Sequence, residues 1–262
     1  MFAMRHSGAG APNPQVREEP AADGEGNLAW LERVGMGQGV ILLGGSSLTD
    51  VRLRFAQSRL RADLTPSHWS VAGLLDGSEV TTVALDAIGD PHTFAAVNGV
   101  MRLPSERFDD TAAYPNVAVL LFTPTFDPIL TAVDDVATGR VILDVPALTV
   151  AWLSAVWAVV DVEAPLREGR GIPGAALVEL SHAVAGLELT PGLESTASCP
   201  EAIWQAARWW TEYYRESTAV ALRAGAVPTA GHAQPSVPAG AYVIRSRLVQ
   251  SVEGSPKEVT YR

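Results

Sequence analysis

Ser195-Thr-Ala-Ser-Cys199-Pro-Glu-Ala-Ile-Trp-Gln-Ala-Ala-Arg-Trp-Trp-Thr-Glu-Tyr-Tyr214 places the only cysteine of a 262-residue chain where a helix should begin. Ser198 or Cys199 suits the N-cap, Pro200 fits the first helical position, and Glu201 favours the positive end of the helix dipole. Ile203, Ala207, Trp210 and Tyr214 then recur at helical spacing, an apolar stripe that docks the helix on a core. A thiol on such a first turn faces unpaired backbone N–H groups, which favour thiolate and hence a nucleophile. The same lone cysteine is equally a small buried hydrophobe in many proteins. Trp204, Trp209 and Trp210 fit either a substrate groove beside the thiol or, more simply, the core.

Outward from this helix, composition sets the bounds. With 47% apolar and 18% charged residues the chain can bury a substantial core. The expectation is one domain over residues 27–262, preceded by a disordered tail over 1–26 that is rich in Gly, Ala, Pro and charge. A single cysteine excludes an internal disulfide and a multi-cysteine zinc site, and no paired histidine motif stands at metal-ligand spacing. No cofactor or metal is therefore expected. The net charge of −10 argues against nucleic acid as a partner. The most apolar run, Val145 to Val160, is short for a membrane span, contains Pro, Thr and Ser, and reads as a buried helix. With no signal-like run at Met1–Gly10, the expected location is the cytoplasm.

In chain order, Asn27–Val34 reads as a capped helix and Gly39-Val-Ile-Leu-Leu-Gly-Gly45 as a buried strand. Ser46–Asp50 caps a helix over Val51–Arg61, with Val51, Phe55 and Leu60 inward and its arginines solvated. Thr65–Leu75 reads as a strand, Asp76-Gly77 as a hairpin turn, and Glu79–Ala87 as the returning strand. Further strands are expected at Gly99–Leu103, Asn116–Thr123 and Tyr242–Gln250. Helices are expected from Pro128 and over Gly171–Ala185, and residues 225–240 read as a long mobile loop. Strands first and helices later make an α+β domain, an antiparallel sheet with helices packed on one side.

Four pieces of this order resemble the circularly permuted papain-fold thiol hydrolases and transferases, the NlpC-like and lecithin:retinol acyltransferase-like enzymes. They are Gly39-Val-Ile-Leu-Leu43; Ser67-His68; Val83-Ala-Leu-Asp86-Ala87 with Asn98-Gly-Val-Met-Arg-Leu-Pro-Ser-Glu-Arg-Phe108; and Ser198-Cys199-Pro-Glu201. The likeness spans residues 40 to 215 or so and implies a permuted papain-like fold. It also implies that His68 is the base that deprotonates Cys199, with Asp86 orienting the imidazole.

Independent chemistry agrees. A Cys-His-Asp triad needs the base within reach of the thiol and a carboxylate on the base. A hairpin turning at residue 77 would set positions 68 and 86 side by side, nine residues from the turn on each arm. His182 in a helical pattern and His92 beside Pro91 suit surface roles, and His232 is the one rival base after the cysteine. The expected function is a cysteine peptidase, amidase or isopeptidase acting through a thioester on a peptide, amide or acyl substrate. Acyl transfer or lipid ester hydrolysis uses the same thioester. The second class is a catalytically weak or inactive member serving as a protein-interaction module, motivated by Trp69-Ser70 standing where a small apolar run usually follows the family's histidine.

Overall fold

The computed structural model describes residues 16–139, 143–157, 164–224 and 238–245, with side chains given up to residue 216 of the long C-terminal helix. Seven strands form one sheet: β1 (Val16–Glu18), β2 (Gln38–Gly44), β3 (Val71–Asp76), β4 (Glu79–Thr82), β5 (Met101–Pro104), β6 (Asn116–Leu121) and β7 (Ala239–Ile244). Their spatial order is β1-β7-β6-β2-β3-β4-β5. Every neighbouring pair is antiparallel except β1 and β7, which run parallel, so the sheet is mixed.

Val40-Ile-Leu-Leu43 shows why the centre is fixed. All four are buried because β2 lies inside the sheet with both faces covered, and such strands read as continuous apolar runs. Val40 and Leu42 join the larger core beneath the helices, while Ile41 and Leu43 join a second core on the opposite face. The larger core is closed by α2 (Leu48–Ala56), α4 (Asp127–Ala137), α5 (Val145–Trp157), α6 (Pro173–Val184) and α7 (Pro200–Ala224). The second is closed by α1 (Asn27–Val34), through Trp30 and Leu31. A short α3 (Pro91–Ala96) lies between β4 and β5, capped by Asp90.

The architecture is α+β, as the order of elements implied, with corrections. Helices cover both faces, because Trp30 and Leu31 supply an apolar face that the opposite side of the sheet needs. The sheet is not wholly antiparallel. Nor is residue 16 onward a loose tail: Val16, Arg17 and Glu18 pair with Gly240, Ala241 and Tyr242, and Trp30 Nε1–H donates to Glu19 O at 2.8 Å. β3 begins only at Val71, so residues 65–70 lie outside the ladder. In α2, Leu53, Arg54 and Gln57 turn inward while Phe55 is 55% exposed, which rotates the helix away from the apolar reading. The loop expected at 225–240 and the strand end expected at 246–250 fall largely outside the described residues, as does His232. Among the described residues no helix is long and apolar enough to cross a membrane.

The second core gives a stability test. Trp30 has no exposure, and truncating a buried tryptophan costs about 3–5 kcal/mol. Trp30→Ala should lower the urea unfolding free energy by that amount; a loss under about 1 kcal/mol would mean that α1 does not seal this face.

Candidate active site

The cysteine end of the site is built by α7. Cys199 O accepts from Ile203 N at 3.2 Å, the first bond of the helix, so Cys199 is its N-cap and Pro200 its first helical residue. The stripe expected behind it is inward: Ile203, Ala207 and Trp210 are buried and Tyr214 packs on the same core. A loop seats this turn from below. Gly171 N donates to Thr196 O and Ile172 N to Ser198 O, at 2.7 and 2.9 Å. A Cβ on Gly171 would stand 2.2 Å from Ser198 O, so only glycine permits this approach.

The thiol itself is 1% exposed. Burial pushes its pKa up to about 12, and the carboxylates of Glu201 and Glu179 push the same way. Backbone N–H groups of Ala202 and Glu201 directed at the sulfur act in the opposite sense and are outweighed. The resting group at neutral pH is thus a neutral thiol, where the helix start alone predicted thiolate.

Two buried carboxylates flank it. Glu179 of α6 accepts from Thr190 Oγ1 and N, at 2.6 and 2.8 Å, and faces Ser198 Oγ at 3.5 Å. Burial raises its pKa against these bonds. Glu201, with no exposure, accepts from Ser67 Oγ and from Gln205 Nε2, both at 2.6 Å, and lies 3.5 Å from Arg61 Nη1.

Ser67 leads into the histidine end. Here the β2–β3 ladder has stopped at Leu43 and Val71, and side chains take over the work of a neighbouring strand. Three successive carbonyls each receive a buried side-chain donor. Arg54 Nε donates to Ser67 O at 2.8 Å, Asn116 Nδ2 to His68 O at 3.2 Å, and Gln57 Nε2 to Trp69 O at 2.9 Å. Ser67 N returns a bond to Arg54 O, and Trp69 N donates to Ser67 Oγ, each at 3.0 Å. Gly44 completes the seat, since a Cβ there would lie 1.9 Å from His68 O. The His68 ring is half-buried and edge-on to Trp69, with centroids 6.2 Å apart. Trp69 in turn meets Trp204 of α7 at 5.3 Å.

The structure therefore brings the His68 segment onto the first turn of the cysteine helix. Asp86 is not part of that meeting. The β3–β4 ladder ends at Gly73 and Thr82, and its register, in which Gly73 faces Thr82, would set position 68 opposite 87 rather than 86 even if it continued. Asp86 is exposed and pairs with Arg107 Nη2 at 3.1 Å. His182 is a further correction: it is buried, its Nδ1 bonds Val178 O at 2.8 Å, and burial lowers its pKa to about 4. His92 lies on α3 and is exposed. Trp204 and Trp210 are core, while Trp209 is exposed and lines a surface groove with Arg208, Arg215 and Tyr242.

Sequence reasoning missed Arg54, Gln57, Asn116 and Glu179. Arg54 was expected in solvent, yet it is buried, and burial lowers its pKa to about 10 against the opposing effect of Asp50. One usable signal existed: Leu53, Arg54 and Gln57 share one side of a helix at i, i+1 and i+4. No group of three or more His, Cys, Asp or Glu suited to a metal ion occurs among the described residues. Compared with protein-family models, with curated proteins and with solved structures, the chain finds no match.

His182 generates a pH test. Its folded pKa is depressed, so its contribution to stability is complete above the unfolded value of about 6.5 and is lost as pH falls towards 4. The full difference is on the order of 3 kcal/mol. Between pH 7 and 4.5 the native chain should lose more unfolding free energy than His182→Gln. Parallel losses in the two proteins would contradict the buried neutral imidazole.

Proposed function

We propose that this chain is a thiol hydrolase of circularly permuted papain-like fold, with Cys199 as nucleophile and His68 as general base, cleaving a peptide, amide or isopeptide bond. One observation carries the reading. The Ser67, His68 and Trp69 carbonyls are each fixed by a buried side chain, and the same segment is bonded through Ser67 to Glu201 on the cysteine helix. The three donors satisfy buried carbonyls that have no strand beside them and in doing so fix the segment, and a general base must be held within hydrogen-bond reach of its proton.

In this reading His68 takes the thiol proton as the sulfur attacks the substrate carbonyl. Backbone N–H groups of the first turn of α7 oppose the developing negative charge. The imidazolium then protonates the leaving amine, and water releases the acyl group from the thioester. An alcohol or amine in place of water gives acyl transfer. The net negative charge favours neutral or cationic substrates over anionic ones. Because the thiol is buried, substrate entry has to uncover it, and uncovering it also removes the desolvation that holds the thiol neutral.

A specific observation favours the second reading, in which the fold is an interaction module and Cys199 a core residue: the thiol's burial and its pKa of about 12. Alkylation by a small electrophile from pH 5 to 9, read by intact mass, separates the two. The hydrolase reading expects labelling that persists well below pH 8 and falls at least about tenfold in His68→Ala. Labelling only near or above the free-thiol value of about 8.5, unchanged in His68→Ala, would overturn it and leave the interaction module.

A further inference from the structure

Gln57 closes α2 and has no exposure to solvent. Its carboxamide touches both halves of the site. Oε1 accepts from Glu201 N at 2.8 Å, two residues from the thiol. Nε2 donates to Trp69 O at 2.9 Å, one residue from the proposed base. The second Nε2 hydrogen goes to Leu53 O at 3.0 Å, four residues back on Gln57's own helix.

These partners leave the amide one orientation. Reversed, its NH2 would face the Glu201 N–H and its oxygen would face two carbonyls. Anchored to α2 by Leu53, the group cannot follow either half if the two move apart. A carboxylate could not donate to Trp69 O, an ammonium could not accept from Glu201 N, and asparagine is one methylene short. The Glu201 N–H is also one of the donors directed at the Cys199 sulfur, so Gln57 shares a hydrogen with the nucleophile.

We propose that Gln57 is a positioning residue that sets the distance and orientation between the His68 segment and the Cys199 turn through a single buried amide. It touches no substrate and acts through Trp69 O and Glu201 N. The proposal rests on the hydrolase reading, and its test distinguishes the two.

The experiment measures the iodoacetamide alkylation rate of Cys199 at pH 6.5 in the full chain, with and without His68→Ala, in native and Gln57→Met backgrounds. Methionine keeps the length of the side chain and removes all three polar contacts. The expected result is a His68-dependence of about tenfold or more in the native background that falls below about threefold in Gln57→Met. A merely structural role would lower the melting temperature and leave the ratio intact; that outcome overturns the proposal while the hydrolase reading stands. A ratio near one in the native background overturns both. Should Gln57→Met fail to fold, Gln57→Glu keeps the acceptor for Glu201 N and loses the donor to Trp69 O. Its ratio should also collapse, and an undiminished ratio there overturns the proposal.

Discussion

Glu201 carries a side chain wholly removed from water, one residue beyond the proline that opens α7. A buried carboxylate costs several kcal/mol unless its oxygens are bonded and its charge answered. Ser67 and Gln205 meet that need at 2.6 Å, Arg61 lies at 3.5 Å, and the N-terminal end of the helix contributes its own positive potential. Each of these partners is thereby constrained. Ser67 cannot leave without stranding Oε2 of Glu201, since Gln205 and Arg61 are on Oε1, so the chain on either side of it is committed to the end of α7. The same serine accepts from Trp69 N, and its carbonyl is held by Arg54. Position passes in this way from one buried carboxyl group through a hydroxyl into backbone, and from there to residue 68.

The thiol shows two principles in competition. A helix N-terminus favours thiolate, worth some fraction of a kcal/mol up to about 2 in partly buried geometry. Full removal from water opposes ionisation more strongly. With Glu201 and Glu179 beside it, both opposing its ionisation, Cys199 falls on the side of burial. The cap geometry that the sequence implied is present, but the protonation state that usually accompanies it is not. Cap position is a local property, legible in Ser198-Cys199-Pro200-Glu201. Burial is a property of everything packed on the cap: Gly171 below it, Glu179 beside it, and the core around Ile203 and Ala207 behind it.

The same division explains what else could be read in advance. Elements with strong periodicity were legible: Asn27–Val34 appears with the expected bounds, β2 follows its continuous apolar run, and the inward stripe of α7 is as its spacing implied. β1 was not legible. Three residues carry no period, and their partner strand lies more than 220 positions away by the Val16–Gly240 pairing. Phe55 and Leu60 misled the reading of α2 because apolar residues are normally inward, whereas this helix turns Arg54 and Gln57 inward to serve carbonyls that have no strand beside them. The hairpin arithmetic that joined His68 to Asp86 assumed an unbroken ladder centred on residue 77, whereas the observed register is one residue off that pairing. The ladder stops at Thr82, and the carboxylate goes to Arg107 instead.

On the hydrolase reading, the placement of Asp86 outside the site, paired with Arg107, changes what must orient His68. In a triad the third carboxylate fixes both ring direction and tautomer. A backbone lock does part of this: it fixes where the Cβ of residue 68 sits and which way it points. The ring itself stands edge-on to Trp69. On the hydrolase reading, a base held in this way depends on the accuracy of its backbone, and the successive carbonyls at 67, 68 and 69 are each fixed by a separate side chain: two from α2, through Arg54 and Gln57, and one from β6, through Asn116. Three anchors on three consecutive peptide units remove the rotations that one or two would leave. On the hydrolase reading, they are the counterpart of the carboxylate that the ladder does not deliver.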